Sequence, residues 1–134
     1  MKKHLRMGCL LAILFILIAS LAYAYESTES MNSATSAITY LRSTLKNPQS
    51  LQINEVYDSG QEFYVFDISA MNGFGGYTRS TYMVFKQNSS SSWSIRETNL
   101  LQGSFAPYVV QGNANVLLLK WESSDVKALA AKIN

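Results

Sequence analysis

The sequence predicts an α+β fold: an N-terminal helix packed on an antiparallel sheet of about four or five strands, with a short C-terminal helix. Three observations carry this. Apolar residues recur at spacings of three and four in residues 26–47, the pattern turns to period two and β-rich composition from Gln49 onward, and the connections between strands are too short for parallel crossovers. With 134 residues, 48% hydrophobic and 15% charged, the chain suits one small globular domain and not a disordered tail or a multidomain enzyme.

Lys2, Lys3 and Arg6 make a basic start, residues 10–21 are almost unbroken apolar sequence, and Ala22-Tyr23-Ala24 fits the small-x-small cleavage pattern. Residues 1–24 therefore read as a signal peptide, leaving residues 25–134 as a single α+β domain that is secreted or held in the cell envelope. The alternative is an uncleaved single-span anchor, because the 19 residues 7–25 carry no charge and approach the ~20 that span a bilayer. In that case the membrane is contacted only through residues 7–25.

Cleavage after Ala24 removes Cys9 and His4, the only cysteine and the only histidine. What remains can build no disulfide, thiol nucleophile, Ser-His-Asp triad or His/Cys zinc site, and no cofactor or metal is called for. It carries eight Lys/Arg against nine Asp/Glu, one net negative charge, which gives no reason to expect nucleic acid as a partner.

In residues 26–47, Met31, Ala34, Ile38, Leu41 and Leu45 share one helical face, and Ser36, Arg42 and Lys46 lie on the other. Ser27 or Ser30 suits the start, and Pro48 forbids continuation. Leu51 and Ile53 then alternate with polar neighbours, and Asp58-Ser59-Gly60 supplies a hairpin turn. The returning arm, residues 61–71, presents Tyr64, Phe66, Ile68 and Ala70 on a wholly apolar face that should look into the core, and Phe63, Val65, Asp67 and Ser69 on the other.

After a glycine-rich interruption, residues 77–86 and 93–98 form two more strands, separated by a polar turn at 88–92. Gly103, Pro107, Gly112 and Asn113 break the next stretch into loop around Tyr108, Val109 and Val110. Residues 116–121 read as a buried strand, with a helix turn as the alternative, and Ser123-Ser124-Asp125 as a cap for a last helix with Val126, Leu129, Ala130 and Ile133 inward.

The candidate interaction loop is Asn72, Gly73, Phe74, Gly75, Gly76 and Tyr77. Three glycines in five residues permit positive φ, close approach of another backbone or an anion cradle. No lysine follows and both flanks are strands, so neither a P-loop nor a dinucleotide fingerprint is present. The pattern favours a wide hairpin loop with Phe74 folded back over the sheet end, with ligand contact as the alternative. Such a loop pairs Ser69 with Arg79 and sets Asp67 diagonal to Arg79, a surface ion pair. Glu55, Asp58 and Glu62 read as solvated charges around a turn. Tyr57, Trp93 and Trp121 are assigned mostly to the core, with Tyr77 and Tyr108.

Two segments carry a resemblance. Leu45-Lys46-Asn47-Pro48-Gln49-Ser50-Leu51 and, further on, Asp67-Ile68-Ser69-Ala70-Met71-Asn72-Gly73-Phe74-Gly75-Gly76 resemble a small module of exported or membrane-tethered bacterial and phage proteins. The resemblance covers roughly residues 37–86. It implies a shared helix-and-sheet unit and, since no activity is attached to that module, no catalytic residue.

The leading expectation is a non-enzymatic binding or interaction module whose partner is a protein or another envelope component. A small apolar-ligand carrier would instead enclose a cavity lined by Tyr64, Phe66, Ile68 and Tyr82. A carboxylate-only hydrolase, the remaining class, needs two of Glu55, Asp67, Glu97 and Glu122 about 5–10 Å apart in one cleft.

Overall fold

A computed structural model describes the backbone of residues 2–87, 91–98, 108–111 and 114–134, and side chains in 9–21, 28–87, 91–98 and 118–134. Helix α1 (Lys2–Thr44) is followed by a 3-10 turn at Pro48–Ser50 and strands β1 (Gln52–Asp58), β2 (Phe63–Met71), β3 (Tyr77–Lys86) and β4 (Trp93–Thr98). Strands β5 (Tyr108–Gln111), β6 (Ala114–Leu117) and β7 (Leu119–Lys120) precede helix α2 (Ser123–Ile133). The architecture is α+β.

By its contacts the chain divides into Met1–Asn32 and Ser33–Asn134, a boundary that falls inside α1. In the first unit the large apolar side chains from Leu10 to Leu21, Phe15 and Ile16 among them, are each more than half exposed. Among the described residues no helix is long and apolar enough to cross a membrane. The helix expected over 26–47 is the end of α1, so neither Ser27 nor Ser30 caps a start. It stops at Thr44, because Pro48 disfavours helical geometry at Asn47, which takes φ −129°.

In the second unit, β4-β3-β2-β1-β7 form one antiparallel sheet, and β5 and β6 pair separately. Tyr64, Phe66, Ile68, Val84 and Val56 are buried on the face turned to α1, as are Ala34, Ala37, Ile38 and Leu41 of the helix. Trp93 of β4 identifies this face: its indole N–H donates to Ser36 Oγ at 3.0 Å and its ring lies 6.2 Å from that of Tyr64. Helix α2 buries Val126 and Leu129 against the domain. No side chain caps its N-terminus at Glu122, so the expected Ser123 cap is not used.

The opposite face is buried in part as well. Phe63 and Val65 are buried there with Tyr57 and Leu118, flanked by Met83 and Phe85. The Phe63 and Phe85 rings stack at 5.6 Å. Leu118 reaches this cluster because the strand expected over 116–121 breaks at that residue into β6 and β7. The stretch Tyr108–Gln111, expected as loop, is a strand paired with Ala114–Leu117. Asn88 to Ser90, Gly103, Pro107, Gly112 and Asn113 lie outside the described residues.

Candidate functional site

The turn after α1 and the end of β2 meet. Ser50 Oγ donates to Asn47 O at 2.7 Å and accepts from Met71 N at 2.7 Å, and Asn47 Nδ2 approaches Met71 Sδ at 3.6 Å. One hydroxyl thus ties the turn after α1 to the end of β2. Arg42, read from sequence as an exposed helix residue, braces the same corner: Nε donates to Pro48 O at 3.0 Å, Nη2 to Gln49 Oε1 at 2.8 Å and Nη1 to Ile133 O.

Between this corner and the β2–β3 hairpin lies a groove of about 400 Å³. Leu45, Ala70, Met71 and Phe74 give it apolar surface over the buried Ile68, and Thr44, Lys46, Thr78, Ser80 and Tyr82 give it polar groups. Burial pushes the Tyr82 hydroxyl up from its ordinary value, Glu97 adds to this, and a hydrogen bond with Ser80 opposes it. Of the four residues expected to enclose a carrier cavity, Ile68 and Tyr82 line this groove. Tyr64 and Phe66 are core residues, stacked on each other at 5.6 Å.

The candidate loop forms one rim. Asn72 organises it: Oδ1 accepts from Phe74 N at 2.9 Å and Gly76 N at 3.1 Å, Nδ2 donates to Thr78 Oγ1 at 3.2 Å, and its backbone N–H donates to Gly76 O at 2.7 Å. A short polar side chain that mimics backbone is why Asn suits this position. Phe74 is 100% exposed and Tyr77 is 53% exposed. The expectation that Phe74 folds back over the sheet end is therefore overturned: the bonds to Asn72 hold the loop's backbone, and the ring lies in solvent.

Gly75 holds φ +83°, a conformation L side chains rarely adopt, whereas a Cβ on Gly76 would meet only the Asn72 side chain, at 3.6 Å. Gly75→Ala is expected to cost about 1–2 kcal/mol in chemical denaturation and Gly76→Ala almost nothing. Equal losses would place the strain elsewhere in the loop.

A polar network occupies the sheet face opposite α1. Ser69 pairs with Arg79 and Asp67 lies on the diagonal, as the loop length requires. Arg79 grips Asp67 with a fork, Nε to Oδ1 at 2.9 Å and Nη2 to Oδ2 at 2.6 Å. The expected surface pair is half right, because the Asp67 side chain is only 6% exposed against 63% for Arg79. The carboxylate in turn holds the Arg79 guanidinium above its ordinary value.

A β-bulge at Asn54 shifts the β1 register, so Ile53 faces Ile68 while Glu55 faces Asp67. The extra residue lets Asn54 donate to Ser69 Oγ at 2.9 Å and Asp67 Oδ1 at 3.3 Å. Glu55 accepts from Lys120 Nζ at 3.0 Å and Tyr57 Oη at 2.8 Å. Those donors hold Glu55 below the usual carboxylate value, while burial, reinforced by Glu55, pushes Tyr57 up to about 12.

None of the three acids expected to be solvated stands free: Glu62 pairs with Lys86 at 2.9 Å and Asp58 Oδ1 accepts from Gly60 N at 2.6 Å. Because the folded-state value of Glu55 is depressed, its contribution to stability is present above 4.5 and is lost as pH falls below it. Glu55→Gln should therefore flatten the acid side of a melting-temperature profile. An unchanged acid limb would mean that other carboxylates carry it.

Of the hydrolase candidates, the sheet register sets Glu55 opposite Asp67. Glu97 is the partner of Tyr82 on the other face, and Glu122 precedes α2. Glu55 and Asp67 spend all four oxygens on Lys120, Tyr57, Arg79 and Asn54. The depressed value of Glu55 is the opposite of what a general acid requires. Among the described residues no group of three or more His, Cys, Asp or Glu is placed to hold a metal ion. Trp93, Trp121 and Tyr57 are at least half-buried, and the side chain of Tyr108 lies outside the described residues. No protein-family model, curated protein or solved structure matches the chain.

Proposed function

We propose that the chain is an exported, non-enzymatic binding module of the cell envelope or extracellular space, and that the loop of residues 72–77 with the adjoining groove is its contact surface. One observation carries the reading: Phe74 is wholly exposed on a loop pinned by Asn72. An exposed phenyl ring forgoes about 1.5–3 kcal/mol of burial, so the fold itself gains little from it. A loop ordered in advance pays little further ordering cost on association, and a rigid aromatic anchor is the kind of residue on which binding energy concentrates.

Export is supported by the basic start and the exposed apolar run, which an aqueous surface does not favour. Retention as a membrane anchor has its own support, because α1 continues through Ala22-Tyr23-Ala24 and a helical peptide bond must unwind before a peptidase can cut it.

The test is pull-down of the tagged full-length chain from its native envelope. Phe74→Ala should leave the melting temperature unchanged and cost about 2 kcal/mol of binding, roughly thirtyfold in affinity. Undiminished recovery of the partner would overturn the loop as contact surface, and a lowered melting temperature would return Phe74 to the core.

A further inference from the structure

The groove also has a distinctive charge. Among the described residues Lys46 is the only charged side chain lining it, is exposed, and makes no ion pair. The other lysines whose contacts bear on the fold, Lys86 and Lys120, are each paired with a glutamate. At the other end, Glu97 sits across from Tyr82 and places negative charge beyond it. An occupant therefore gains by carrying its negative charge at the Lys46 end and keeping it away from the Tyr82 end.

Leu45 and Met71, both partly exposed, offer apolar surface and Ser80 a hydroxyl. The volume of about 400 Å³ lies at the small end of ligand sites, and the fully exposed Phe74 beside it does not enclose anything. Small ligands are mostly buried by their sites, whereas an open groove with an aromatic rim suits one protruding side chain of a larger partner.

We infer that the groove receives a peptide segment of a partner protein in which a large apolar side chain is followed or preceded by an acidic residue. The apolar side chain lies on Leu45 and Met71 against Phe74, and the carboxylate meets Lys46. This rests on the loop and groove being the contact surface.

The experiment is selection of a random displayed peptide library on the immobilised full-length chain, compared with Lys46→Glu and Phe74→Ala. Enriched peptides are expected to combine Asp or Glu with a neighbouring aromatic or large aliphatic residue. They should bind Lys46→Glu about tenfold more weakly, and selection on that variant should turn to Lys or Arg. Lys46 is exposed, so the variant should keep its melting temperature, and Lys46→Ala, with a smaller loss, checks that repulsion alone is not responsible.

Affinities within twofold on Lys46→Glu, or enrichment without acidic residues, would overturn the charge complementarity and leave the contact surface standing. Peptides that bind Phe74→Ala as well as the original chain would overturn the contact surface itself. No enrichment at all, with a fatty acid binding in its place, would assign the groove to a small amphiphile.

Discussion

Phe66→Ala is expected to destabilise the domain by about 3–5 kcal/mol, approaching the whole stability of a domain this size. The ring is fully buried at the middle of β2, one strand from either neighbour, with Val56 and Tyr82 as its cross-strand partners. Truncation removes the transfer free energy of a phenyl group and leaves a cavity that the flanking Tyr64 ring, stacked at 5.6 Å, can fill only by leaving its own site. Urea denaturation of the full chain followed by tryptophan fluorescence reads the change, since Trp93 lies against Tyr64. A loss below about 1 kcal/mol would mean that the ring is not in the core.

Arg79→Ala is the second large effect, expected at about 2–3 kcal/mol, although Arg79 itself is mostly exposed. Its cost comes from what it leaves behind: Asp67, 4% exposed, would keep only Asn54 as a side-chain donor in the network. Lys120→Ala and Lys86→Ala remove pairs whose carboxylates are open to water, at 31% and 49% exposure, and should cost under about 1 kcal/mol each. Arg79→Lys should recover only part of the loss, since an ammonium cannot reproduce the fork on both carboxylate oxygens. Equal losses at Arg79, Lys86 and Lys120 would show that burial of Asp67 contributes nothing.

Much of the sheet was legible because its determinants are local. The boundaries of β3 and β4 follow from composition and turns within a few residues of each strand. The five-residue loop is enough to pair Ser69 with Arg79. The candidate loop was legible as a glycine-rich interruption, but the orientation of Phe74 was not. A ring folded back and a ring in solvent share one sequence pattern, and the Asn72 bonds that order the loop's backbone are read only from the structure. Arg42 and Ser50 gave no signal, since their partners Ile133 and Met71 are distant in the chain.

By itself the sequence determined the α+β class, the order of the hairpin strands and the apolar face of β2, because side-chain alternation and turn chemistry are properties of neighbouring residues. Only the tertiary structure decided that Phe63 and Val65 are buried as well, that a bulge brings Asn54 and Glu55 to Asp67, and that the Lys46 and Phe74 segments share one groove. Periodicity tells which side chains leave a strand together. What covers them is settled by Leu118, Ser50 and other residues that arrive from elsewhere in the chain, and whose approach costs loop entropy that no local pattern records.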